Sequence, residues 1–184
     1  MAFEKQLDIM CAGAFSVSND SDLKWVYFLD GLKDGDNNIA ALIRCNDMLR
    51  QTFADSEHYQ NYSVIMKNEL IFRKSGMVVG DKFFYDNYCT YQNTDFETWR
   101  KQSFESNTWQ LFPLEEIDTG ERTFQAMTFS YPVRNYIQQE PEANAVVQFL
   151  LSKENLEQMF GQLLSRQGGI LIYDAEDRLL ASLG

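Results

Sequence analysis

FQAMTFSYPV (Phe124–Val133) and NAVVQFLL (Asn144–Leu151) are followed at once by SKENLEQMFGQLLSRQ (Ser152–Gln167) and GILIYDAEDRLLAS (Gly169–Ser182). This order of strand, strand, helix and hairpin decides the fold. In the first segment Phe124, Ala126, Thr128 and Ser130 alternate with Gln125, Met127, Phe129 and Tyr131. The second register carries the larger apolar residues, so that face is expected to meet the core. Ala145–Leu151 is an apolar run broken only by Gln148, the pattern of a central strand. Ser152 is a helix-capping type, and the helix it opens is expected to bury Leu156, Met159, Phe160 and Leu163. The pair Gly168-Gly169 ends that helix. A polar connection with Pro141, between Asn135 and Asn144, joins the two strands.

Working outward, the N-terminus reads as helical. Phe3, Leu7, Met10, Ala14 and Val17 recur at alternating four- and three-residue steps, one face of a helix. Ser18, Asn19 and Ser21 are capping types that can open a second segment, DLKWVYFLDGL, and KDGDNN (Lys33–Asn38) is turn chemistry. Ile39, Leu42, Ile43, Leu49 and Phe53 predict a further amphipathic helix over 38–54, giving an antiparallel helical pair. From Tyr59 the period changes. Tyr62–Phe72 and Met77-Val78-Val79, joined by Lys74-Ser75-Gly76, read as a strand hairpin. Tyr85, Tyr88 and Tyr91 fall in an aromatic, Asn-rich loop. Thr94-Asp95-Phe96-Glu97 fits a capping box, with Thr94 the cap of the helix TDFETWRKQSF and Phe96, Trp99 and Ser103 on its inward side. Trp109–Leu114 reads as an edge strand closed by Pro113, and Asp118–Glu121 as a turn.

Composition removes whole classes of function. Sixteen Lys and Arg stand against 27 Asp and Glu, a net charge of −11. That argues against a nucleic-acid surface and predicts repulsion from anionic lipid. Hydrophobic residues make up 45% of the chain, enough to bury a core. Cys11, Cys45 and Cys89 have neither CxxC nor Cys/His metal spacing, and they allow at most one disulfide. The one histidine, His58, excludes an HExxH zinc site and leaves little for a Ser-His-Asp triad. Asp34, Asp36 and Asn38 begin like a calcium loop, but Ile39 and Cys45 occupy its glycine and bidentate-glutamate positions. Glu115, Glu116 and Asp118 read as solvated turn charges, and no glycine-rich phosphate loop occurs. No enzyme, metal site or cofactor is therefore expected. No 18-residue apolar run occurs, and MAFEKQLD lacks the features of a signal peptide. Taken literally, that reads as cytoplasmic; the abrupt LLASLG after a predicted strand reads as a domain excised from a longer chain.

The order of these pieces resembles the extracytoplasmic sensor module called a Cache domain. NAVVQFLLSKENLEQMFGQLL is similar to the last strand and exit helix of a membrane-distal Cache subdomain. GGILIYDAEDRLLAS looks like the hairpin that opens the membrane-proximal one, with Asp177-Arg178 where Asp-Gly is usual. FETWRKQSF, Trp109–Pro113 and MTFSYPV resemble the extracellular regions of Gram-positive AraC-type regulators and two-component histidine kinases. The resemblance covers Tyr59–Ser182. It implies an α+β, PAS-like fold: a central antiparallel sheet with long N-terminal helices. The implied divisions are a helical segment over 1–58, a membrane-distal subdomain over 59–151, an exit helix over 152–167, and the first hairpin of an incomplete membrane-proximal subdomain over 168–184.

The resemblance further implies a non-catalytic sensor on the outer face of the cell membrane, with transmembrane helices on either side in the full-length receptor. The partner it implies is a small-molecule ligand or a solute-binding protein, with no nucleic acid contact by this domain and a homodimer as one arrangement. A cytoplasmic PAS- or GAF-like interaction module is the alternative. The Arg-x-Trp-Tyr signature of amino-acid-binding Cache domains is absent; Trp99-Arg100 stands in reversed order. Candidate ligand-binding residues are aromatics and lone cations near the predicted sheet faces: Arg73, Tyr85, Trp99, Trp109, Tyr131 and Arg134. Tyr131, before Pro132, is the one best placed for a pocket rim.

Overall fold

A computed structural model describes residues 2–26, 35–53, 59, 61–134 and 143–184. His58, most of the 135–144 connection and the second half of DLKWVYFLDGL lie outside the described residues. Helix α1 (Ala2–Ser18) buries Met10, Ala14 and Val17, as its spacing predicts. Ser18 Oγ and Asn19 Nδ2 both donate to the Phe15 carbonyl, closing its last turn. The cap of α2 (Ser21–Val26) is neither Ser18, Asn19 nor Ser21: the Asp20 carboxylate accepts from the Leu23 amide. Helix α3 (Gly35–Thr52) begins inside the stretch read as a turn. Its buried stripe is Ala41, Leu42, Cys45, Leu49 and Phe53, while Ile39 and Ile43 are exposed. Leu42, Leu49 and Phe53 are thus inside, as expected, and Ala41 and Cys45 complete the stripe in place of Ile39 and Ile43. Cys45 stands on it because a neutral thiol packs as a small hydrophobe.

Seven strands make one fully antiparallel sheet in the order β3-β2-β1-β7-β6-β5-β4. They are β1 (Asn61–Met66), β2 (Leu70–Arg73), β3 (Gly76–Val79), β4 (Thr90–Tyr91), β5 (Gln110–Asp118), β6 (Thr123–Val133) and β7 (Ala145–Ser152). The run Tyr62–Phe72 is thus two strands rather than one. Glu69 takes a left-handed conformation (φ 66°), and the Asn68 carboxamide oxygen accepts from the Leu70 amide, so the chain turns without a glycine. The expected central strand, β7, is buried along its whole length. Strand β5 does not stop at Pro113: the register jumps between Phe112 and Glu115, and the proline sits in that bulge on the side where β4 does not reach.

Both faces of the sheet are covered, which alternation along β6 did not indicate. On the first face Met127, Phe129, Val147, Phe149, Tyr62 and Phe72 pack against α1, α2 and α3. On the second face Ile65, Ile71, Ala126, Val146 and Leu150 pack beneath two short helices, α4 (Asp81–Tyr88) and α5 (Phe96–Glu105). The second-register residues of β6 do face the larger core, as expected, but the first register is buried too.

Ser152 caps α6 (Lys153–Met159) by accepting from the Asn155 amide. The helix then breaks at Phe160, and α7 (Gly161–Gln167) buries no side chain; Leu163, expected inside, is 42% exposed. Gly161 at the break is the weakest helix former available short of proline. Phe160 itself turns inward onto Phe3, ring centres 5.7 Å apart. Gly168 ends α7 in the left-handed region (φ 76°). Strands β8 (Ile170–Tyr173) and β9 (Leu179–Leu183) form a separate hairpin. Leu180, Ala181 and Leu183 of that hairpin join the first-face core, and Leu171, Tyr173 and Leu179 point outward.

The turn between β5 and β6 is tied to α4. Gly120 has φ +75°, and a Cβ there would lie 2.3 Å from the Asn87 carbonyl oxygen. Gly120→Ala is expected to cost about 2–3 kcal/mol, backbone strain plus a clash with main chain that cannot yield. Gly76→Ala, also at positive φ but with nothing within 4 Å of its Cβ, is expected to cost only about 1 kcal/mol. Urea denaturation of both variants separates the two contributions.

Candidate functional site

The second sheet face carries polar residues where a closed core would carry aliphatic ones. Arg73 on β2 pairs across to Ser63 on β1, Ser63 to Gln148 on β7, and Gln148 to Ser130 on β6. All four side chains point to the same side, and all are buried, Gln148 to 1% exposure. A polar row under a helical roof must find partners or lose several tenths to a few kcal/mol per group. Gln148 Nε2 donates to Ser103 Oγ of α5 at 2.9 Å, but its Oε1 accepts from nothing among the described residues. The Trp99 indole Nε1, one turn earlier on α5, is likewise buried without an acceptor. Next to the row, Tyr91 and Thr128 hydroxyls are 2.9 Å apart.

The roof is held by three kinds of contact. Aromatic rings interlock, with Tyr85 of α4 5.4 Å from Trp99 and 6.3 Å from Tyr91. An ion pair, Arg100 of α5 to Asp81 at the start of α4, ties the two helices together. The loop after β4 is pinned by Glu115, which accepts from the Asn93 amide at 2.9 Å and from Thr94 Oγ1 at 3.0 Å. Thr94 is therefore not the cap of α5. Asp95 is, accepting from the Thr98 amide at 2.8 Å, and that hydrogen bond holds its carboxyl below the usual range. A carboxylate with two acceptor oxygens out-competes a hydroxyl for that amide once the loop frees Thr94 for Glu115.

Two small cavities open on this face. One, about 10 Å³ and room for a single water, is lined by Asn61, Ser63, Arg73, Tyr88 and Cys89 among others. The second, about 50 Å³, lies between Tyr91, Trp99, Gln102, Phe112 and Glu115. Of the six residues expected from the sequence, the fold gathers Arg73, Tyr85 and Trp99 here. Tyr85 stands on α4 rather than in a loop, and its hydroxyl donates to the Thr94 carbonyl. Trp109 and Tyr131 lie on the opposite face: Trp109, 45% exposed, stacks on Phe129 at 5.8 Å, and Tyr131 packs against the first-face core. Arg134, just beyond β6, donates to the Ser106 carbonyl at 2.9 Å. The sequence did not single out Ser63, Gln148 and Ser130 for the site, whereas Ser103 is on the inward side of its helix, as expected. Gln148 was visible as the one interruption of an apolar run, and that was the signal.

Burial shapes the ionisable groups of this face. Desolvation pushes the Cys89 thiol up to about 12 and the Tyr91 phenol well above its ordinary value. Across the sheet, desolvation also pushes Cys45 up to about 12. All three thiols are free, and Cys11 is half-buried. A folded-state value raised above the unfolded one gives stability that is complete below the unfolded pKa of roughly 8.5 and is lost as pH rises from there toward 12. The expected outcome is a melting temperature flat from pH 7 to 8 that falls steadily above pH 9. A thiol reagent at pH 8 is expected to modify Cys11 first and reach Cys45 and Cys89 only in denaturant. Rapid labelling of all three in the native state would overturn this.

Among the described residues there is no cluster able to hold a metal ion, and no helix is long and apolar enough to cross a membrane. No protein-family model and no curated protein sequence matches the chain. Its structure is similar to that of the periplasmic sensory domain of the Campylobacter jejuni chemoreceptor Tlp1, with TM-score 0.51 and 12% identity, over 98% of this chain and 68% of that one. At that identity the likeness is one of fold: the α+β, PAS-like arrangement of antiparallel sheet and long N-terminal helix is shared with a periplasmic sensory domain.

Proposed function

We propose that this chain is the extracytoplasmic ligand-sensing domain of a bacterial transmembrane signalling protein, with an AraC-type regulator or a two-component histidine kinase as its output. The observation that carries the reading is the buried polar row Arg73–Ser63–Gln148–Ser130 beneath the roof of α4 and α5, with Gln148 Oε1 and Trp99 Nε1 unpaired. A small solute docked there satisfies groups that the protein itself leaves unsatisfied. Structural likeness to a periplasmic sensory domain supports the same reading. The hairpin β8-β9 is read as the opening of a second, membrane-proximal subdomain, and its outward Leu171, Tyr173 and Leu179 suit further chain packed on them.

Sensing works by population shift: a ligand that binds one arrangement of the roof better biases the domain toward it by its difference in affinity. Helix α1 packs on the other face of β6, whose Thr128 and Ser130 belong to the polar face, so a shift in the sheet reaches α1 within one strand thickness. A thermal-shift screen against sugars, amino acids and organic acids tests the proposal, because a ligand of the native state alone raises its stability. The expected result is a hit whose shift disappears in Gln148→Leu. A hit unchanged by that substitution would move the site off this face. Recovery of a stable complex with a cytoplasmic protein, and no small-molecule hit, would favour the interaction-module alternative.

A further inference from the structure

The geometry points to Arg73 as the clasp of an entrance, holding the C-terminal end of α4 and the β5–β6 turn together over one end of the polar row. The use of that entrance rests on the sensing function proposed above; its geometry does not. The two cavities beside the row, about 10 and 50 Å³, hold one to a few waters and no solute of several heavy atoms. Part of the cover must therefore move before anything larger reaches the row. The cover is fastened unevenly. On the α5 side Glu115 accepts hydrogen bonds at 2.9 and 3.0 Å from the loop after β4, and Arg100 pairs with Asp81. On the β2 side the ties are looser. Arg73 Nη2 lies 3.9 Å from Glu121 Oε1, beyond hydrogen-bond reach, and the Glu121 side chain is 78% exposed. The firmer contact is with Tyr88, whose ring centre is 3.9 Å from the guanidinium carbon of the 7% exposed Arg73.

The position of Arg73 makes these contacts a closure. Strands β1 and β7 lie between β2 and β6 in the sheet, so the Arg73–Glu121 pair reaches across strands rather than joining neighbours. Tyr88 is the last residue of α4. Gly120, beside Glu121, sits where a Cβ would lie 2.3 Å from the Asn87 carbonyl oxygen and 3.8 Å from the Tyr88 ring. Turn and helix end therefore abut each other, and Arg73 touches both. Without the guanidinium, nothing of comparable strength holds that pair of elements to β2. Ser63, the next member of the row, lies directly behind, lining the same small cavity as Arg73, Tyr88 and Cys89. The chain also carries its own reporters. Cys89 and Cys45 are both buried and free, Cys89 in the core beneath α4 and α5 and Cys45 in the core of the opposite face. Local opening at the clasp exposes Cys89 alone, whereas global unfolding exposes both thiols.

The test is native-state labelling of the whole chain with iodoacetamide at pH 8, with mass spectrometry to assign each modified cysteine. Where reclosing outpaces labelling, the rate follows the population of the open form. Arg73→Gln and Tyr88→Leu are each expected to raise the Cys89 rate about tenfold, the loss of a partly desolvated cation–π contact, and to leave Cys45 unchanged. Tyr88→Phe keeps the ring and should label as the parent does. Glu121→Gln removes only the solvated pair and should raise Cys89 labelling by no more than about fivefold. Tyr88→Leu carries the test where Arg73→Gln fails to fold. A parallel rise at Cys45 and Cys89 would overturn the proposal, since Arg73 would then support global stability alone. An unchanged Cys89 rate in Tyr88→Leu, or labelling of Tyr88→Phe as fast as Tyr88→Leu, would also overturn it. No ligand enters this measurement, so its outcome is separable from the sensing function. Selective Cys89 opening with an empty thermal-shift screen supports the clasp and counts against sensing. A hit lost in Gln148→Leu, with Cys89 indifferent to Tyr88→Leu, leaves sensing standing and the clasp refuted.

Discussion

Replacing Phe149 by Ala is expected to lower the unfolding free energy by about 3–5 kcal/mol, a fall of roughly 6–20 °C in melting temperature for a chain of this size. The residue is 0% exposed at the middle of the central strand. Its ring centre lies 5.1 Å from Phe53 just past the end of α3, 4.7 Å from Tyr59 and 5.9 Å from Phe129 on the neighbouring strand. One side chain thus joins the N-terminal helices to the sheet, and its removal leaves a cavity bounded by strands that cannot close over it. A double-mutant cycle with Phe53→Ala is expected to show a coupling of about 0.5–1.5 kcal/mol, because the two rings meet edge to face. Phe15→Ala, at 61% exposure on the outside of α1, is the control and should stay within about 0.5 kcal/mol of the parent. A loss below 1 kcal/mol at Phe149 would mean that the helices are not fastened to the sheet through this cluster.

Trp99→Ala is expected to cost about 3–5 kcal/mol by the same cavity argument on the other face. Its functional consequence differs. Trp99 meets Tyr85, Phe84 and Phe96 in tilted ring contacts at 5.4–6.1 Å, so it fastens α5 to α4. Without it the roof over the polar row loosens, and ligand stabilisation should fall with fold stability. Trp99→Phe separates the two roles. It keeps most of the packing and removes an N–H that is buried without an acceptor, so its cost should be only about 1 kcal/mol. If that indole contacts ligand, Trp99→Phe will nevertheless weaken binding. Urea denaturation gives the first quantity and calorimetric titration of whichever probe binds gives the second. Equal stability losses in the Ala and Phe variants would show that the indole packing is not what holds the roof.

These two residues illustrate unequal legibility. Phe149 sits in a strand that is apolar but for Gln148 and Ser152, and its burial follows from that run, the pattern of a central strand. Trp99 was assigned to the inward side of a capped helix, correctly, but which layer that helix roofs depends on where the chain returns. Local errors had local causes. The Tyr62–Phe72 run hid a turn because Asn68 and Glu69 make it without glycine or proline. The loop ascribed to Tyr85 is a helix because Phe84 and Tyr85 bury against α5 and the sheet, contacts that outweigh a weak intrinsic propensity. Leu163 lies outside because the helix breaks at Phe160 and aims its second half elsewhere.

The candidate site was half legible. Arg73, Tyr85 and Trp99 come together under the roof, whereas Trp109 and Tyr131 pack on the first face. Residue type marks a side chain as suited to a pocket, but facing is set by register, and a one-residue shift reverses it. The bulge at Pro113 is such a shift.

What the sequence by itself determined is the list of elements: amphipathic helices first, then antiparallel strands, a capped helix, a fully buried strand, and a glycine-ended helix before a closing hairpin. Those features are written in periods of 3.6 and 2 and in capping chemistry, which act over a few residues. What only the tertiary structure decided is the meeting of Arg73, Ser63, Gln148 and Ser130 on one covered face, and of Arg73 with Glu121. Those residues come from four strands and a turn up to 85 positions apart in the chain, so no local pattern records their approach. Strand pairing creates the row, and the roof of α4 and α5 takes it out of water, where an unpaired polar group becomes costly enough to require a partner.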